Sequence, residues 1–442
     1  MSKPTDSTSV LRDHARAIIQ AGIEAVRPEP LVFHHISRNV ELCEAIEHAA
    51  RIVVVGGGKA AAGMAAGLEA ECSHHLNRVI GLVNIPSALW RPTQKITLHP
   101  SRPMGCNEPT EAAAAGVERM LELVSSADSE DIVISLLSGG GSALLPAPAS
   151  GISLEEKNLV AKLLIASGAT IDELNCVRKH LSNIKGGQLA AASRAGSIWS
   201  LIISDVIGDR LDVIASGPTA ADSTTFSQAM EIVQTNKLET KIPKSVWRRL
   251  CDGVAGRIPE TPKTLPAHVH NAILANNRTA LVAARIEAER LGYLTSQAGQ
   301  LCGEVTAMAR KISMTVRQTP RDYPRCLLYG GETTVRLPVN HGRGGRNQAL
   351  ALALGVELGA EGLRGTVLAS AGTDGEDGPT DAAGAIVDEQ TWVTSNQKGL
   401  KADEYLLRHD SHDFFQQVGG LLQTGLTGTN VADLAVILTQ KA

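Results

Sequence analysis

Apolar residues along this chain of 442 residues alternate between helical spacing and short unbroken runs, a pattern typical of α/β proteins. Helical spacing from Val10 to Val26 and from Val40 to Ala50 predicts two packing helices ahead of a buried strand that begins at Ile52. Further elements are predicted as strands at 78–83, 132–137 and 198–203 and as helices at 60–70 and 111–124. We therefore expect a Rossmann-like α/β domain with a largely parallel sheet.

The pattern starts again after a proline-rich stretch. Residues 257–266 contain three prolines, which indicates a linker. Beyond it, strands are predicted at 270–274, 326–329, 366–370 and 434–438, and helices at 278–291, 304–316 and 345–358. We expect two domains, residues 1–258 and residues 259–442, both α/β with largely parallel sheets.

Composition narrows the class of protein. Hydrophobic residues make up 43% of the chain and charged residues 20%, which is ordinary for a globular protein. The net charge of −4 and the dispersed basic residues argue against nucleic acid or a membrane as a partner. Seven cysteines are scattered without a C-x-x-C pair, and neither a signal peptide nor a run of transmembrane length is evident, so we expect a cytoplasmic location.

Three predicted strands run directly into glycine. Bare backbone N–H groups at the carboxyl end of a buried strand are a common place for anion binding, so these junctions predict phosphate or carboxylate recognition. For the Ser138 junction the structural alternative is a tight turn that glycine fills, and for Lys59 it is a solvated surface lysine. The junctions are Gly56-Gly57-Gly58-Lys59, Ser138-Gly139-Gly140-Gly141-Ser142 and Gly330-Gly331-Glu332.

The first junction also matches a dinucleotide fingerprint, because Gly56, Gly58 and Ala61 satisfy G-x-G-x-x-A. That fingerprint requires an acidic residue about twenty positions later to hold the ribose, but the next strand ends near Asn84. A Walker motif also fails, since Ala60 stands where Ser or Thr would bind magnesium. An NAD(P)H-dependent reductase is therefore an alternative with weaker support.

A second group of cationic residues follows the Ser138 junction. Thr170 and Glu173 form a capping box, which predicts a helix that carries Lys179, His180 and Lys185 before it ends at a glycine pair. These side chains are candidates for binding an anion. The alternative is an ordinary solvated helix face.

Carboxylates follow two of the predicted strands. Asp205 and Asp209 come after the strand at 198–203, and Asp374 comes after the strand at 366–370. Acids at a sheet edge suit magnesium binding or a proton-accepting role, and turn capping is the structural alternative.

Two arginines, Arg343 and Arg346, lie on a glycine loop that opens a predicted helix. Arginine forks beside the free N–H groups of a helix start can hold phosphate or carboxylate oxygens bidentately, whereas flexible surface arginines are the alternative.

Together these segments resemble the glycerate 2-kinase family, whose C-terminal half is called the MOFRL domain and which was historically also labelled hydroxypyruvate reductase. The chain departs from the family pattern at two places, and the first departure bears on substrate preference. His99-Pro100-Ser101-Arg102-Pro103-Met104 replaces a common His-Pro-x-Pro-Asp segment, and Leu426 replaces a proline. The blocks that carry the resemblance are Gly57–Ala60, Leu137–Leu144, Asn175–Ser182, Lys185–Gly187, Ser204–Val206, Ser216–Thr219, Gly330–Val335, Gly342–Gln348, Gly372–Gly375 and Thr424–Val431.

The resemblance implies a Rossmann-like domain and a MOFRL-type domain with the active site in the cleft, transferring phosphate from ATP to the 2-hydroxyl of D-glycerate. Lys59 and Arg343 would neutralise the phosphoryl group, while Asp205 or Asp374 would accept the proton or hold Mg²⁺, with Glu332 as a further metal ligand. A homodimer is a candidate assembly, and a non-enzymatic small-anion binding protein is a third interpretation. Expected binding residues are Gly57, Gly58, Ser138, Gly139, Gly140, Gly141, Ser142, Lys179, His180, Lys185, Gly331, Glu332, Arg346 and Asn347.

Overall fold

The structure is a computed structural model that describes residues 6–103 and 108–441. It divides into two compact units, an N-terminal unit of residues 28–274 and a C-terminal unit that combines residues 1–27 with residues 275–442. The first helix, α1 (Asp6–Glu24), therefore belongs with the end of the chain, because it packs against strands and a helix of the C-terminal unit. Met104 of the departing segment and Cys106, one of the seven cysteines, lie outside the described residues.

The N-terminal unit has six strands and ten α-helices among its described residues. Every residue of its first strand is buried, as expected for a strand covered on both faces. Its strands are β1 (Ile52–Gly57), β2 (Val79–Pro86), β3 (Ile96–Arg102), β4 (Ile132–Ser138), β5 (Ser197–Ile203) and β6 (Val269–Ala275). Its helices are α2 (Pro28–Arg38), α3 (Val40–His48), α4 (Ala61–Glu71), α5 (Glu111–Ser125), α6 (Gly141–Leu144), α7 (Leu154–Ser167), α8 (Ile171–His180), α9 (Gln188–Ala191), α10 (Phe226–Thr235) and α11 (Lys244–Val254).

The strand order of this sheet is β3-β2-β1-β4-β5-β6, the order of the Rossmann fold. Strands β1 to β5 run parallel to their neighbours, which confirms the predicted parallel sheet for this part of the chain. In such a sheet ligands bind beyond the carboxyl ends of the strands, near the point where the strand order reverses between β1 and β4.

The sixth strand corrects the predicted domain boundary. The segment 270–274 was expected to open the second domain, but β6 extends the first sheet beside β5. The proline-rich stretch before it does not separate two domains, because Asp222 N donates to Pro262 O at 2.8 Å and Ile198 N donates to His268 O at 2.9 Å. Proline indicates a segment without regular secondary structure, and here that segment packs against the N-terminal unit and does not link two domains.

The C-terminal unit contains a second six-stranded sheet, in the order β11-β10-β9-β12-β8-β7. Its further strands are β7 (Leu294–Leu301), β8 (Arg325–Gly331), β9 (Thr366–Gly372), β10 (Gly384–Asp388), β11 (Leu421–Leu422) and β12 (Asp433–Thr439). Its further helices are α12 (Asn277–Arg290), α13 (Val305–Gln318), α14 (Arg346–Gly362), α15 (Glu389–Gln397), α16 (Ala402–Leu407) and α17 (Ser411–Val418).

The prediction of a largely parallel second sheet is wrong. Strand β12 lies antiparallel to both β8 and β9, and β10 is antiparallel to β9 and β11, so only β7 and β8 pair in parallel. The strands β8, β9 and β12 are buried along almost their whole length. An unbroken apolar run indicates burial on both faces, but it does not encode the direction of the neighbouring strand.

Helix α8 begins as the sequence predicts but ends earlier than expected. The capping box of Thr170 and Glu173 is present, but the helix ends at His180, so the prediction that Lys185 lies on it is wrong. Residues 181–187 form turns, and Gly186 and Gly187 have φ values of 61° and 80°, which favour glycine. Among the described residues, no helix is long and apolar enough to cross a membrane.

Candidate functional site

Three strands of the N-terminal unit end side by side. Gly57 of β1 is in register with Leu137 of β4, and Ser138 of β4 is in register with Ile203 of β5. The residues that follow these strands are therefore delivered to one edge of the sheet. They are Gly58-Lys59, Gly139–Ser142 and Ser204-Asp205, and all of them except Ser204 are predicted site residues.

Lys59 and the glycine loop of residues 139–142 are directly linked. The backbone N of Lys59 donates to Gly139 O at 2.8 Å. A Cβ placed on Gly140 would lie 3.5 Å from Cγ of Lys59, so the lysine side chain runs along the loop. Gly140 has a φ of 78°, a conformation that glycine adopts without strain. The loop thus lies beside a half-buried ammonium group.

Ser138 has a positioning role. Its hydroxyl accepts a hydrogen bond of 2.9 Å from the backbone N of Ala60, at the start of α4. A Cβ on Gly58 would come within 2.1 Å of Ser138 Oγ, so only glycine permits this approach. Ser138 therefore holds the turn that carries Lys59, because its hydroxyl accepts a hydrogen bond from the backbone of that turn.

Lys179 and His180 are both engaged within the protein. Lys179 Nζ contacts Asp222 at 3.2 Å and Asp212 at 3.5 Å and is almost completely buried. The ring nitrogens of His180 contact Cys176 O at 2.8 Å and Glu260 at 3.1 Å. These contacts give both residues structural partners and leave neither ring nitrogen of His180 open to a substrate.

Lys185 has a different environment. Its Nζ donates to Ala215 O at 3.0 Å and to Ser142 O at 3.4 Å. Burial lowers the pKa of this ammonium group well below its ordinary value, and the positive charges of Lys157 and Arg178 lower it further. Lys185 therefore supports the glycine loop from behind without a carboxylate as counter-ion among the described residues.

Asp205 and Asp209 lie in the turn after β5. Asp205 is half-buried, two residues beyond the strand. Asp209 has a φ of 53°, and its backbone N donates to Val206 O at 3.1 Å. Of the two, Asp205 is the closer in sequence to the sheet edge, and Asp209 shapes the turn.

The second sheet also gathers functional candidates at one edge. Asp433, the first residue of β12, is in register with Gly331 at the end of β8 and with Gly372 at the end of β9. Glu332 and Asp374 follow these two strands within two residues. An antiparallel strand thus adds a carboxylate that the prediction of parallel strands did not include.

Arg346 is held by this group of acids. Its Nε lies 2.6 Å from Oδ2 of Asp433 and its Nη2 donates to Oδ1 at 2.9 Å, while Nη1 lies 2.6 Å from Glu332. Although burial alone would lower it, the hydrogen bonds and charges of these acids raise the pKa of Arg346. Through this bidentate pair and the contact with Glu332, Arg346 links the start of β12 to the end of β8 at the sheet edge.

Asn347, beside Arg346, is also occupied. Its side-chain oxygen accepts a 2.6 Å hydrogen bond from Ser370, and its backbone N donates to Asp377 at 2.9 Å. The residue is 1% exposed. These contacts indicate a structural role for Asn347 at the start of α14.

Arg343 is presented differently. Its backbone N donates to Asp410 at 2.9 Å and its carbonyl accepts from the backbone N of His412 at 3.0 Å. The side chain is exposed and makes no hydrogen bond or ion pair with the described residues of its unit. The loop is therefore fixed by its backbone while the guanidinium remains available for a ligand.

Asp374 lies in a loop that contacts the tail motif. Its Oδ1 accepts from Glu376 N at 3.0 Å, and its carbonyl accepts from Thr427 N at 3.1 Å. A Cβ on Gly375 would come within 2.0 Å of Gly425 O, so the two loops are packed against each other. Leu426, the departure from the family pattern, lies in this contact region and is 37% exposed.

Sequence reasoning did not single out Asp222, Asp377, Asp410 and Asp433. Each binds a predicted site residue or its neighbour from a distant part of the chain. Asp377 was visible only as one acid in an Asp- and Gly-rich turn. No local signal reports a partner that is far away in sequence.

The chain is similar to known proteins over most of its length. Residues 14–251 match a family model described as DUF4147, a domain of unknown function, and residues 325–433 match the MOFRL family. Glycerate kinase of Bos taurus is 37% identical and covers 97% of this chain and 93% of its own length. Glycerate 2-kinase of Pyrococcus horikoshii is 41% identical over 75% of this chain and 76% of its own length.

A solved structure is also similar throughout. The crystal structure of glycerate kinase from Thermotoga maritima has a TM-score of 0.82 and 36% identity, covering 98% of this chain and 100% of that chain. These likenesses define the class of protein as a phosphotransferase enzyme with two α/β sheets. Within that class, the chain belongs to the glycerate kinase family.

Proposed function

We propose that this protein transfers the γ-phosphoryl group of ATP to the 2-hydroxyl of D-glycerate, giving 2-phosphoglycerate and ADP. The observation that carries the proposal is the contact between the Lys59 turn and the glycine loop of residues 139–142 at the carboxyl edge of the first sheet. Two relatives at 40–41% identity are named D-glycerate 2-kinase and glycerate 2-kinase, which supports the 2-position.

The chemistry requires positioning and positive charge more than a covalent intermediate. The 2-hydroxyl oxygen attacks the γ-phosphorus, the bond to the bridging oxygen of ADP breaks, and ADP leaves with the electron pair. Lys59 and Arg343 would neutralise the charge of the transferring group, and the peptide N–H groups of the glycine loop would bind oxygens. Asp205 or Asp374 would accept the hydroxyl proton.

The carboxylates at the two sheet edges are suitable ligands for Mg²⁺. Mg²⁺ is usually held by one or two carboxylates together with substrate phosphates and water. Asp205 and Asp374 each follow the carboxyl end of a strand, and Glu332, which contacts Arg346, directly follows the end of β8. The described residues contain no group of three or more His, Cys, Asp or Glu that could hold a metal. We infer that the ion would use Asp205 or Asp374 and the phosphates, and would screen the phosphoryl oxygens.

The direct test incubates the purified full-length protein with D-glycerate, ATP and Mg²⁺ and follows ADP formation, with the product identified by phosphorus NMR. Phosphate on carbon 2 is the expected result. Phosphate on carbon 3, or no ADP, would overturn the proposal. Turnover of L-glycerate serves as the stereochemical control.

The reductase alternative is tested in parallel with hydroxypyruvate and NADH or NADPH. The strand order and the Gly56 turn favour it. The ribose position, however, is Asn84, which is fully buried and donates to Ala113 O and Leu144 O. Coenzyme oxidation without ADP formation in the kinase assay would select the reductase, and thermal stabilisation without turnover would select the anion-binding protein.

We also infer a cytoplasmic setting, because the six cysteines among the described residues are all free thiols. A homodimer stays a prediction, for which light scattering of the purified protein is the measurement.

A further inference from the structure

Four cationic side chains of the N-terminal unit interact electrostatically, and we call them the basic cluster: Lys157 of α7, Arg178 of α8, Lys185 of the turn after α8, and Arg249 of α11. Lys157 is 7% exposed and Lys185 is 2% exposed, while the two arginines are half-buried. Only Lys185 was singled out from the sequence.

The basic cluster has no counter-ion among the described residues. Lys157 Nζ has only the carbonyl oxygen of Ala147, at 3.5 Å, and Arg178 makes neither a hydrogen bond nor an ion pair there. Arg249 donates to His180 O at 2.7 Å. Carbonyl oxygens accept hydrogen bonds but carry no net charge, so these contacts leave the positive charges uncompensated.

The neighbouring Lys179 provides a contrast, because Asp222 and Asp212 both contact its ammonium group. The chain thus supplies carboxylates to one buried lysine of this region and none to the basic cluster. Keeping these groups charged without a counter-ion costs several kcal/mol, roughly as much as half of a typical protein's stability, and the two lysines avoid part of that cost by losing a proton more easily. Such a cost is usual at a site whose counter-ion is a ligand.

The charges influence one another. Burial lowers the pKa of Lys157 to about 7, and the positive charges of Arg178 and Arg249 contribute. Burial also lowers the pKa of Arg178 and of Arg249. A bound anion would reverse part of this effect by favouring the protonated form of Lys157.

The basic cluster adjoins the proposed active site. Lys185 bonds to the carbonyl of Ser142, the last residue of the glycine loop, and Lys157 approaches the carbonyl of Ala147 five residues later. The hydroxyl of Ser142 lies 3.3 Å from that of Ser216. Hydroxyl groups and buried cations therefore flank the same loop.

We propose that the basic cluster is the carboxylate subsite of this protein and that, on the proposed function, it holds the carboxylate of D-glycerate. A carboxylate carries one negative charge and is small enough for a largely buried site, and the guanidinium of Arg178 offers it a two-pronged contact. The triphosphate of ATP is larger and carries more charge, which suits the more exposed Lys59 turn and Arg343.

The first test compares Lys157→Met with Lys162→Met. Lys162 is also on α7, but it is exposed and pairs with Glu108. We expect Lys157→Met to raise the KM for D-glycerate about tenfold or more, since a charge-assisted hydrogen bond is lost, and to leave the KM for MgATP within about twofold. Lys162→Met should resemble wild type in both.

Lys157→Met is also expected to be at least as stable as the wild type. Methionine fills a similar volume without a charge, so the melting temperature of Lys157→Met should equal or exceed that of wild type. If Lys157→Met fails to fold, Arg178→Gln provides the same kinetic comparison at a half-buried position.

A direct binding measurement separates this inference from the proposed function. Calorimetry of D-glycerate binding at about pH 8.5, in buffers of different ionisation enthalpy, should show proton uptake in wild type and less uptake in Lys157→Met. If D-glycerate binds with proton uptake but no phosphoryl transfer is detected, the kinase proposal is overturned and the carboxylate subsite is supported. A raised KM for MgATP alone, or no change in either KM, would overturn the subsite even in an active kinase.

Discussion

The carboxylate of Asp377 accepts a hydrogen bond of 2.9 Å from the backbone N of Asn347. A second bond of 2.8 Å comes from the backbone N of Gln348, so Asp377 caps the first turn of α14 from a different loop. A Cβ on Gly345 would come within 2.2 Å of this carboxyl group, which explains the glycine there. The arginine loop of residues 342–348 is therefore fastened to the loop that carries Asp374.

Replacing Asp377 with asparagine tests this cap and its titration. Burial raises the pKa of Asp377 from 3.8 to about 6, despite the hydrogen bonds from Asn347 and Gln348 that lower it. Because the folded-state pKa is raised, the stability that this group contributes is fully present below about pH 4 and is lost as the pH rises through 6. The free energy of unfolding of wild type relative to Asp377→Asn should fall by about 1.4 kcal/mol between about pH 5 and about pH 7.5.

Urea denaturation at several pH values measures this difference. Asparagine does not titrate, so Asp377→Asn supplies its own pH-independent reference at this position. A stability difference that stays constant across the range would contradict the raised pKa.

Arg343→Ala should remove most turnover and leave the fold intact. The loop is held by backbone contacts of residue 343 with Asp410 and His412, which alanine retains. Loss of an arginine that stabilises a transferring phosphoryl group typically costs about a thousandfold or more in kcat. The control is Arg285→Ala on α12, which removes an exposed guanidinium. Steady-state kinetics and thermal melting decide the outcome, and a near-normal kcat would refute the assigned role.

Lys59→Ala is the matching test in the other unit. The turn around Lys59 is fixed by Ser138 and by the backbone bond to Gly139, so alanine should not disturb it. We expect kcat to fall by about a hundredfold or more, because a preorganised charge at the reacting group is lost. Lys241→Ala, at an exposed position, is the control. An unchanged melting temperature with lost turnover would support the role, whereas lost turnover only through unfolding would not.

The sequence predicted those parts of the fold that depend on local patterns. The buried runs at Ile52, Ile132 and Ile198 and the capping box at Thr170 all appear where expected. Glycine at the end of a buried strand also located the edges of both sheets correctly. These features depend on neighbours within a few residues, which a single sequence displays.

The remaining features depend on distant partners. The direction of β12, the placement of β6 in the first sheet and the addition of α1 to the C-terminal unit are all set by contacts far along the chain. Arg346 illustrates the same limit at the site. A glycine loop with two arginines predicted two ligands for an anion, but Asp433 occupies one of them.

The pair of Lys179 and Asp222 yields a prediction about stability. Asp222 is fully buried and also accepts hydrogen bonds from Thr224 and Thr261. Asp222→Ala would leave Lys179 buried with only Asp212, at a cost of about 3 kcal/mol. Burial alone would raise the pKa of Asp222, but its hydrogen bonds and Lys179 lower it, so this contribution exists above about pH 4 and is lost at lower pH.

The double variant Lys179→Met with Asp222→Leu should recover part of that loss, since no unpaired charge remains buried. Chemical denaturation of the wild type, Asp222→Leu, Lys179→Met and the double variant near neutral pH measures the coupling. Equal destabilisation in Asp222→Leu and the double variant would show that the ion pair is not what the site requires.

His180→Leu separates a structural role from a binding role. The ring of His180 packs edge-on against Phe226 at a centroid distance of 4.6 Å, and both of its nitrogens have protein partners. Leucine removes these contacts, so we expect a loss of about 2 kcal/mol in unfolding free energy. The KM values for D-glycerate and MgATP should remain within about twofold of wild type, because no ring nitrogen is left for a substrate. His34→Leu, at an exposed position, is the control, and a selective rise in either KM would restore His180 to the binding site.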